Sequence, residues 1–124
     1  MSKYTELAEQ LDELKKLMAL AAEAELKIKF LEVFRDFPDI KNFSWTQYTP
    51  YFNDGEPCNF SVHTYNIEIN ENWNLEDKYS KAVSLIENAL TTIDEDTMMR
   101  LFGDHVKVTV HWDGNIETNE YAHD

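Results

Sequence analysis

The sequence predicts an α+β protein. A long N-terminal helix is followed by an antiparallel sheet of about four strands in two hairpins, with helices on one face, in the order α-β-β-α-α-β-β. Three observations predict it. Residues 5–34 contain no Gly or Pro and are dominated by Leu, Ala, Glu and Lys, the strong helix formers. Two later regions are rich in β-formers and turn at Asp54-Gly55 and Asp113-Gly114. Between them a stripe of apolar residues recurs at helical spacing.

The first helix carries Leu7, Leu11, Leu14, Met18, Ala21 and Ile28 on alternating spacings of four and three, with Glu25 interrupting the series. That is an a/d seam over roughly three heptads. A second stripe, Leu17, Leu20, Ala24, Leu31 and Phe34, lies beside it and widens the apolar face. Asp36-Phe37-Pro38 stops the helix, because the residue before a proline is driven out of the α region. Thirty helical residues span roughly 45 Å, more than the remaining residues can cover with a body of about 12 Å radius of gyration. One end should overhang, and self-association through the seam is the expected cover, giving a homodimer. The alternative is a helix broken near residues 19–24 that folds back on its own domain. Two units result: a helical arm, residues 1–37, and a body, residues 38–124.

In the body, residues 43–49 alternate large and small side chains and read as a strand ended by Pro50. Residues 51–57 form a turn. A second strand runs over residues 58–69, and its apolar parity changes near His63-Thr64, which predicts a bulge or a strand that leaves one environment for another. A helix over residues 75–93 follows, N-capped by Asn74, with Tyr79, Ala82, Val83, Ile86, Ala89, Leu90 and Ile93 on one stripe. Asp94 caps a short helix that ends at Gly103. Val106, Val108, Val110 and Trp112 then alternate with polar residues as a half-buried strand. A three-residue loop through Asn115 should set Ile116 and Thr118 of the last strand against that face; a two-residue turn would set Asn115, Glu117 and Asn119 there.

Charge narrows the function. The 124 residues carry a net −13. Residues 1–41 hold 9 Asp/Glu against 7 Lys/Arg, while residues 42–124 hold 15 against 4, so the body alone carries −11. Such a surface disfavours nucleic acid and anionic membrane, which need clustered Lys and Arg, and favours a basic protein partner. A single cysteine, Cys58, makes no intramolecular disulfide and fits a reducing compartment. With no run of apolar residues long enough to span a bilayer and no secretory signal pattern, the expected location is cytoplasmic.

The candidate partner-binding residues are the acidic runs Glu68, Glu71, Glu76, Asp77 and Asp94, Glu95, Asp96, together with Tyr48, Tyr51, Phe52 and Asp54 in the aromatic stretch from Trp45 to Cys58. Aromatics with polar tips beside a turn suit a recognition loop, and they equally suit a well-packed hairpin. Individually the acids read as caps and solvated faces; collectively they exceed what capping requires. His63, His105, His111 and His123 lack the spacing of a zinc site, so no metal and no cofactor are expected. Cys58, His63 and Asp54 are the only nucleophile–base–orienter set, and residues 58 and 63 fall on opposite faces of a regular strand. No catalytic residue is expected.

The segment Trp45-Thr46-Gln47-Tyr48-Thr49-Pro50-Tyr51-Phe52-Asn53-Asp54-Gly55-Glu56-Pro57-Cys58, with the ending Tyr121-Ala122-His123-Asp124, resembles a family of small proteins of tailed bacteriophages and prophages. The similarity covers most of residues 30–124 and implies a phage context, with no activity or site residue carried over. The sequence thus leads to a non-enzymatic acidic protein that binds and inhibits a host or defence protein, its sharpest form a nucleic-acid mimic of the anti-CRISPR or anti-restriction type. A structural or accessory phage protein, or an immunity-type protein neutralising a basic partner, is the alternative. A small enzyme using Cys58 and His63 stands third.

Overall fold

The first helix needs a start signal, and Ser2 supplies it. Its hydroxyl accepts the backbone N–H of Thr5 (3.2 Å), satisfying one of the donors that a helix start leaves unpaired. From there one unbroken helix, α1 (Lys3–Asp36), runs to Phe37, so the broken, folded-back alternative does not hold. Intrahelical pairs such as Lys16–Asp12 (3.2 Å) and Lys27–Glu23 (3.0 Å) line its solvent side. The structure is a computed structural model that describes residues 2–49, 59–72 and 75–121, the side chains of residues 65 and 66 excepted.

Four strands follow the helix: β1 (Asn42–Tyr48), β2 (Ser61–Ile69), β3 (Val106–His111) and β4 (Ile116–Glu120). They form one antiparallel sheet in the order β2-β1-β3-β4, so the two hairpins join through β1 and β3. Between the hairpins lie a 3₁₀ turn (Asp77–Tyr79), α2 (Ser80–Thr92) and α3 (Glu95–Phe102). The predicted α+β order is therefore present.

The pleat sorts the sheet into two faces. Phe43, Trp45 and Gln47 of β1 point to the helices, opposite Ile69 and Val62 of β2 and Val110, Val108 and Val106 of β3. The apolar members of this set meet Leu26, Phe30 and Val33 of α1, Ala82, Ile86, Ala89 and Leu90 of α2, and Met98 of α3 in one core. Phe30 sits edge-on to Phe43 with ring centroids 5.1 Å apart, and Phe102 edge-on to Trp45 at 5.6 Å. The core draws on both sides of the boundary at residue 37 that the sequence suggested.

The core-facing stripe of α1 is Ala19, Ala22, Leu26, Phe30 and Val33. The second stripe expected to widen the seam turns out differently: Leu17, Leu20, Ala24 and Leu31 are exposed, and only Phe34 packs against the core. In its C-terminal half the helix is apolar nearly all round, so periodicity alone does not choose the buried side. The partner sheet does.

Three boundaries move. The helix expected over residues 75–93 begins at Ser80, because Glu76 is extended (ψ 154°) and Tyr79 donates its N–H to the Glu76 carbonyl (3.0 Å), closing a 3₁₀ turn. Asn74, its expected cap, lies outside the described residues. β2 starts at Ser61 rather than at residue 58. Trp112 leaves the strand: the three-residue loop is Trp112-Asp113-Gly114, closed by the His111 N–H to the Asn115 carbonyl (2.8 Å), with Gly114 at φ +92°. Ile116 and Thr118 do oppose Val110 and Val108, as the three-residue reading requires, but two positions out of the expected register. Trp112 is consequently 62% exposed.

The bulge expected near His63-Thr64 is real. Ser44 pairs with Glu68 and Thr46 with His63, so residues 64–67 of β2 stand against Trp45 alone. Three extra residues are an odd number, and the side-chain parity of β2 flips across them.

Asp94 and Gly103 behave as expected. The Asp94 carboxylate accepts the Thr97 hydroxyl (2.8 Å) and N–H (3.0 Å), and Gly103 stops α3 at φ +98°. These bonds, the hydroxyl first, hold the Asp94 carboxyl below its ordinary range.

Candidate functional site

Three surfaces remain once the core is assigned. The first is α1 itself. Among the described residues eleven large apolar side chains are exposed, and nine of them lie on α1: Tyr4, Leu7, Leu11, Leu14, Leu17, Met18, Leu20, Ile28 and Leu31. The seam residues Leu7, Leu11, Leu14, Met18 and Ile28 are 46–60% exposed, and Ala21 is exposed with them. No described residue before Ala19 is buried, so residues 3–18 overhang the body by about 24 Å at 1.5 Å per residue. One ion pair, Arg100 to Asp12 at 4.0 Å, ties this segment to α3. These apolar side chains make an exposed ridge along one helix.

The second surface is acidic, and it is split. Glu71, Glu76 and Asp77 are exposed beside the start of α2, where Lys78 reaches Glu76 (3.6 Å) and Asp39 (4.0 Å). Asp94, Glu95 and Asp96 stand at the other end, in the first turn of α3. Thirteen residues of α2 put about 20 Å between the groups. A groove of ≈ 460 Å³ between β2 and the α2–α3 junction borders the second group; Val62, Leu90 and Ile93 line it with Asp94 and Glu95. The fourth member of the first run, Glu68, is set apart. It faces the side of the sheet away from the helices, where it accepts the Ser44 hydroxyl (3.2 Å) and pairs with Lys107 across β1. It is a neutralised carboxylate within a polar sheet face, not part of a continuous acidic field.

That second face of the sheet is the third region, and the sequence reading passed over it; Ser44, Thr46 and His63 on it are only 4–8% exposed. Ser44, Thr46 and Tyr48 of β1, Ser61, His63 and Glu68 of β2, Lys107, Thr109 and His111 of β3, and Glu117 of β4 share it. The alternation of Lys107, Thr109 and His111 with the valines was the available signal. Tyr48 is half-buried here, stacked on His63 at 3.9 Å and tilted against Tyr121 at 5.5 Å. His111 Nε2 lies 3.4 Å from Glu117 Oε1.

The aromatic stretch divides between packing and surface. Trp45 and Gln47 are both fully buried, so neither can belong to a recognition loop. Gln47 instead brackets the interior: its Oε1 accepts Trp45 Nε1 (3.0 Å), while its Nε2 donates to the carbonyls of Met98 (2.9 Å) and Gly103 (2.8 Å). A buried amide with these partners satisfies the carboxyl end of α3 and anchors it on the sheet. Thr49 donates its N–H and hydroxyl to Asp104, each at 2.8 Å, and His105 donates its N–H to the same carboxylate at 2.9 Å. Burial pushes the Asp104 carboxyl up, but the Thr49 and His105 bonds outweigh it and leave the group below its ordinary range. Tyr51, Phe52, Asp54 and Cys58 lie outside the described residues, as does His123.

For chemistry, His63 is 8% exposed beneath Tyr48, and His105 sits off the regular strand at φ +54°. Among the described residues no group of three or more His, Cys, Asp or Glu could hold a metal ion. Among them, too, no helix is long and apolar enough to cross a membrane. Comparison with known protein families, curated proteins and solved structures gives no match for this chain.

Proposed function

We propose that the protein is a non-enzymatic binding module that self-associates through α1 and presents its acidic body to a basic protein. In the phage setting that the Trp45–Cys58 segment suggests, the basic partner is a host or defence protein whose nucleic-acid-binding groove the acidic groups occupy. The observation that supports this reading is the segregation of two kinds of surface on one chain. Nine of the eleven exposed large apolar side chains among the described residues lie on one helix, whereas residues 42–124 carry −11. Carboxylate groups at the two ends of α2 give a basic groove two points of attachment, and long-range attraction raises the encounter rate.

Charge reversal tests it. Glu71→Lys, Glu76→Lys, Asp77→Lys, Glu95→Lys and Asp96→Lys together should weaken capture of partners from host lysate at low salt, and native binding should fall as ionic strength rises. The equivalent reversal of Glu6, Glu9 and Glu13 on the arm is the control. A partner retained equally at low and high salt, and equally by the reversed body, would sink the electrostatic reading.

A further inference from the structure

We infer that α1 pairs with α1 of a second copy antiparallel, through its overhang, so that the two acidic bodies sit at opposite ends of the rod. This rests on the self-association reading above and adds its geometry. In heptad terms Tyr4, Leu11 and Met18 occupy a, Leu7, Leu14 and Ala21 occupy d, and the next two a positions are Glu25 and Glu32. The body packs on the flank beside this ridge, at Ala19, Ala22, Leu26, Phe30 and Val33, roughly a quarter-turn round the helix. The ridge residues Leu7, Leu11, Leu14 and Met18 stay 46–53% exposed beyond that contact.

Charge chooses the orientation. A parallel pair sets Glu25 against its own copy, and Glu32 likewise, inside the seam, where like carboxylates meet away from water and the Lys29 partner of Glu25 (3.6 Å) offsets them only in part. It also brings two bodies of −11 each to one end. An antiparallel pair meets a with d′. The longest such register that keeps every layer apolar matches Tyr4 with Ala21, Leu7 with Met18, and Leu11 with Leu14, each layer occurring twice about a dyad between residues 12 and 13. Shifting one heptad toward the body opposes Leu7 to Glu25, so the seam ends where the carboxylates begin. In the chosen register the Glu25 of each copy lies past the start of the other helix, in water. Residue 28 of one copy then lies about 47 Å along the rod from residue 28 of its partner. Exposed charges that far apart are screened from one another.

Spin-label distances on the full chain test this. In a Cys58→Ala background, a label at Glu13→Cys should report a short distance, on the order of 20 Å, since it sits at the dyad beside a helix 8–10 Å away. A label at Lys27→Cys should report a long one, about 45 Å. Short distances at both sites overturn the antiparallel arrangement while leaving self-association standing. A slip of one heptad moves the Lys27 distance by about 10 Å and overturns the register. No defined distance, together with a monomer by light scattering, overturns both this inference and the self-association it rests on. Glu25→Leu gives an independent reading: dimer affinity should change less than about twofold here, whereas a parallel seam relieved of that charge would tighten more than tenfold.

Discussion

The two halves of α1 are built from the same residue types and live under different physics. Residues 19–36 are held by a sheet: Leu26, Phe30 and Val33 are 1–2% exposed against Phe43, Trp45 and α2. Residues 3–18 touch the body through little more than Arg100 and leave five large aliphatic side chains half in water. Composition alone makes both halves helical. An isolated helix of about sixteen residues is nevertheless marginal in water, because nucleation is unfavourable and each added residue gains little. The C-terminal half gets its stability from tertiary burial. The N-terminal half has the cap at Ser2 and ion pairs such as Lys16–Asp12, and in the proposed assembly a second copy would add to them.

Truncating one residue in each half gives the sharpest contrast. Phe30→Ala removes a ring packed on Phe43 and Trp45 and should destabilise the fold by about 3–5 kcal/mol. Leu14→Ala in the overhang should shift the unfolding free energy of the monomer by under about 0.5 kcal/mol. Urea denaturation of both variants in dilute solution measures the difference. Equal losses would show that the overhang is part of the core after all.

The same contrast reverses when assembly is measured instead of folding. Leu14→Glu puts a carboxylate in the centre of the a/d ridge and should dissociate the dimer at micromolar concentrations, while the melting of the body changes little. Light scattering of the native chain and the variant decides it; a native chain that is monomeric there removes the arm's proposed role.

How much of this was legible beforehand differs between the halves for the same reason. The exposed ridge was readable over residues 3–18, because Leu7, Leu11, Leu14 and Met18 repeat there at seam spacing with few other apolar residues beside them. The buried stripe was not. In residues 19–34 the apolar residues Ala19, Leu20, Ala21, Ala22, Ala24, Leu26, Ile28, Phe30, Leu31, Val33 and Phe34 surround the helix, and only the sheet selects among them. The bulge in β2 was legible because a parity change in a strand has few other causes. Trp112 was misplaced because an apolar residue in alternation reads as strand, and the loop that removes it depends on which residue takes Gly114's positive φ. Glu68 read as free acid because its counter-ion, Lys107, is 39 positions away. Gln47 gave no signal either, since two of its three partners, Met98 and Gly103, lie 51 and 56 positions away.

Gln47 marks the polar side of the well-held region, and its effect should be intermediate. Gln47→Leu keeps the volume but strips an acceptor from Trp45 Nε1 and a donor from the carbonyls of Met98 and Gly103. Unsatisfied buried groups cost about 1–3 kcal/mol each, and the carbonyls have some freedom to relax, so a net loss of about 2–3 kcal/mol is expected. Because α3 carries Arg100, which among the described residues makes the ion-pair link to the overhang, this variant should also loosen the arm. Amide hydrogen exchange should show α3 losing protection before the sheet does. Equal exchange rates in the two would mean that Gln47 does not anchor α3 separately.

The smallest expected effect belongs to the cap of that same helix. Asp94→Ala deletes the acceptor of the Thr97 hydroxyl and N–H and should cost about 1 kcal/mol. The pH dependence separates this from a packing loss. The folded-state pKa of Asp94 lies below its unfolded value because Thr97 stabilises the carboxylate, and Asp104 is depressed as well by Thr49 and His105. A depressed carboxyl contributes stability that is fully present above the unfolded pKa of about 3.9 and is lost as pH falls through the folded pKa. The native protein should therefore lose stability as it is acidified below about pH 4, and Asp94→Ala should lose less over that window. The two stabilities should converge at the acid end, where the native cap is itself protonated. Parallel curves with a constant gap down to low pH would show that Asp94 acts through packing, with no contribution from its charge.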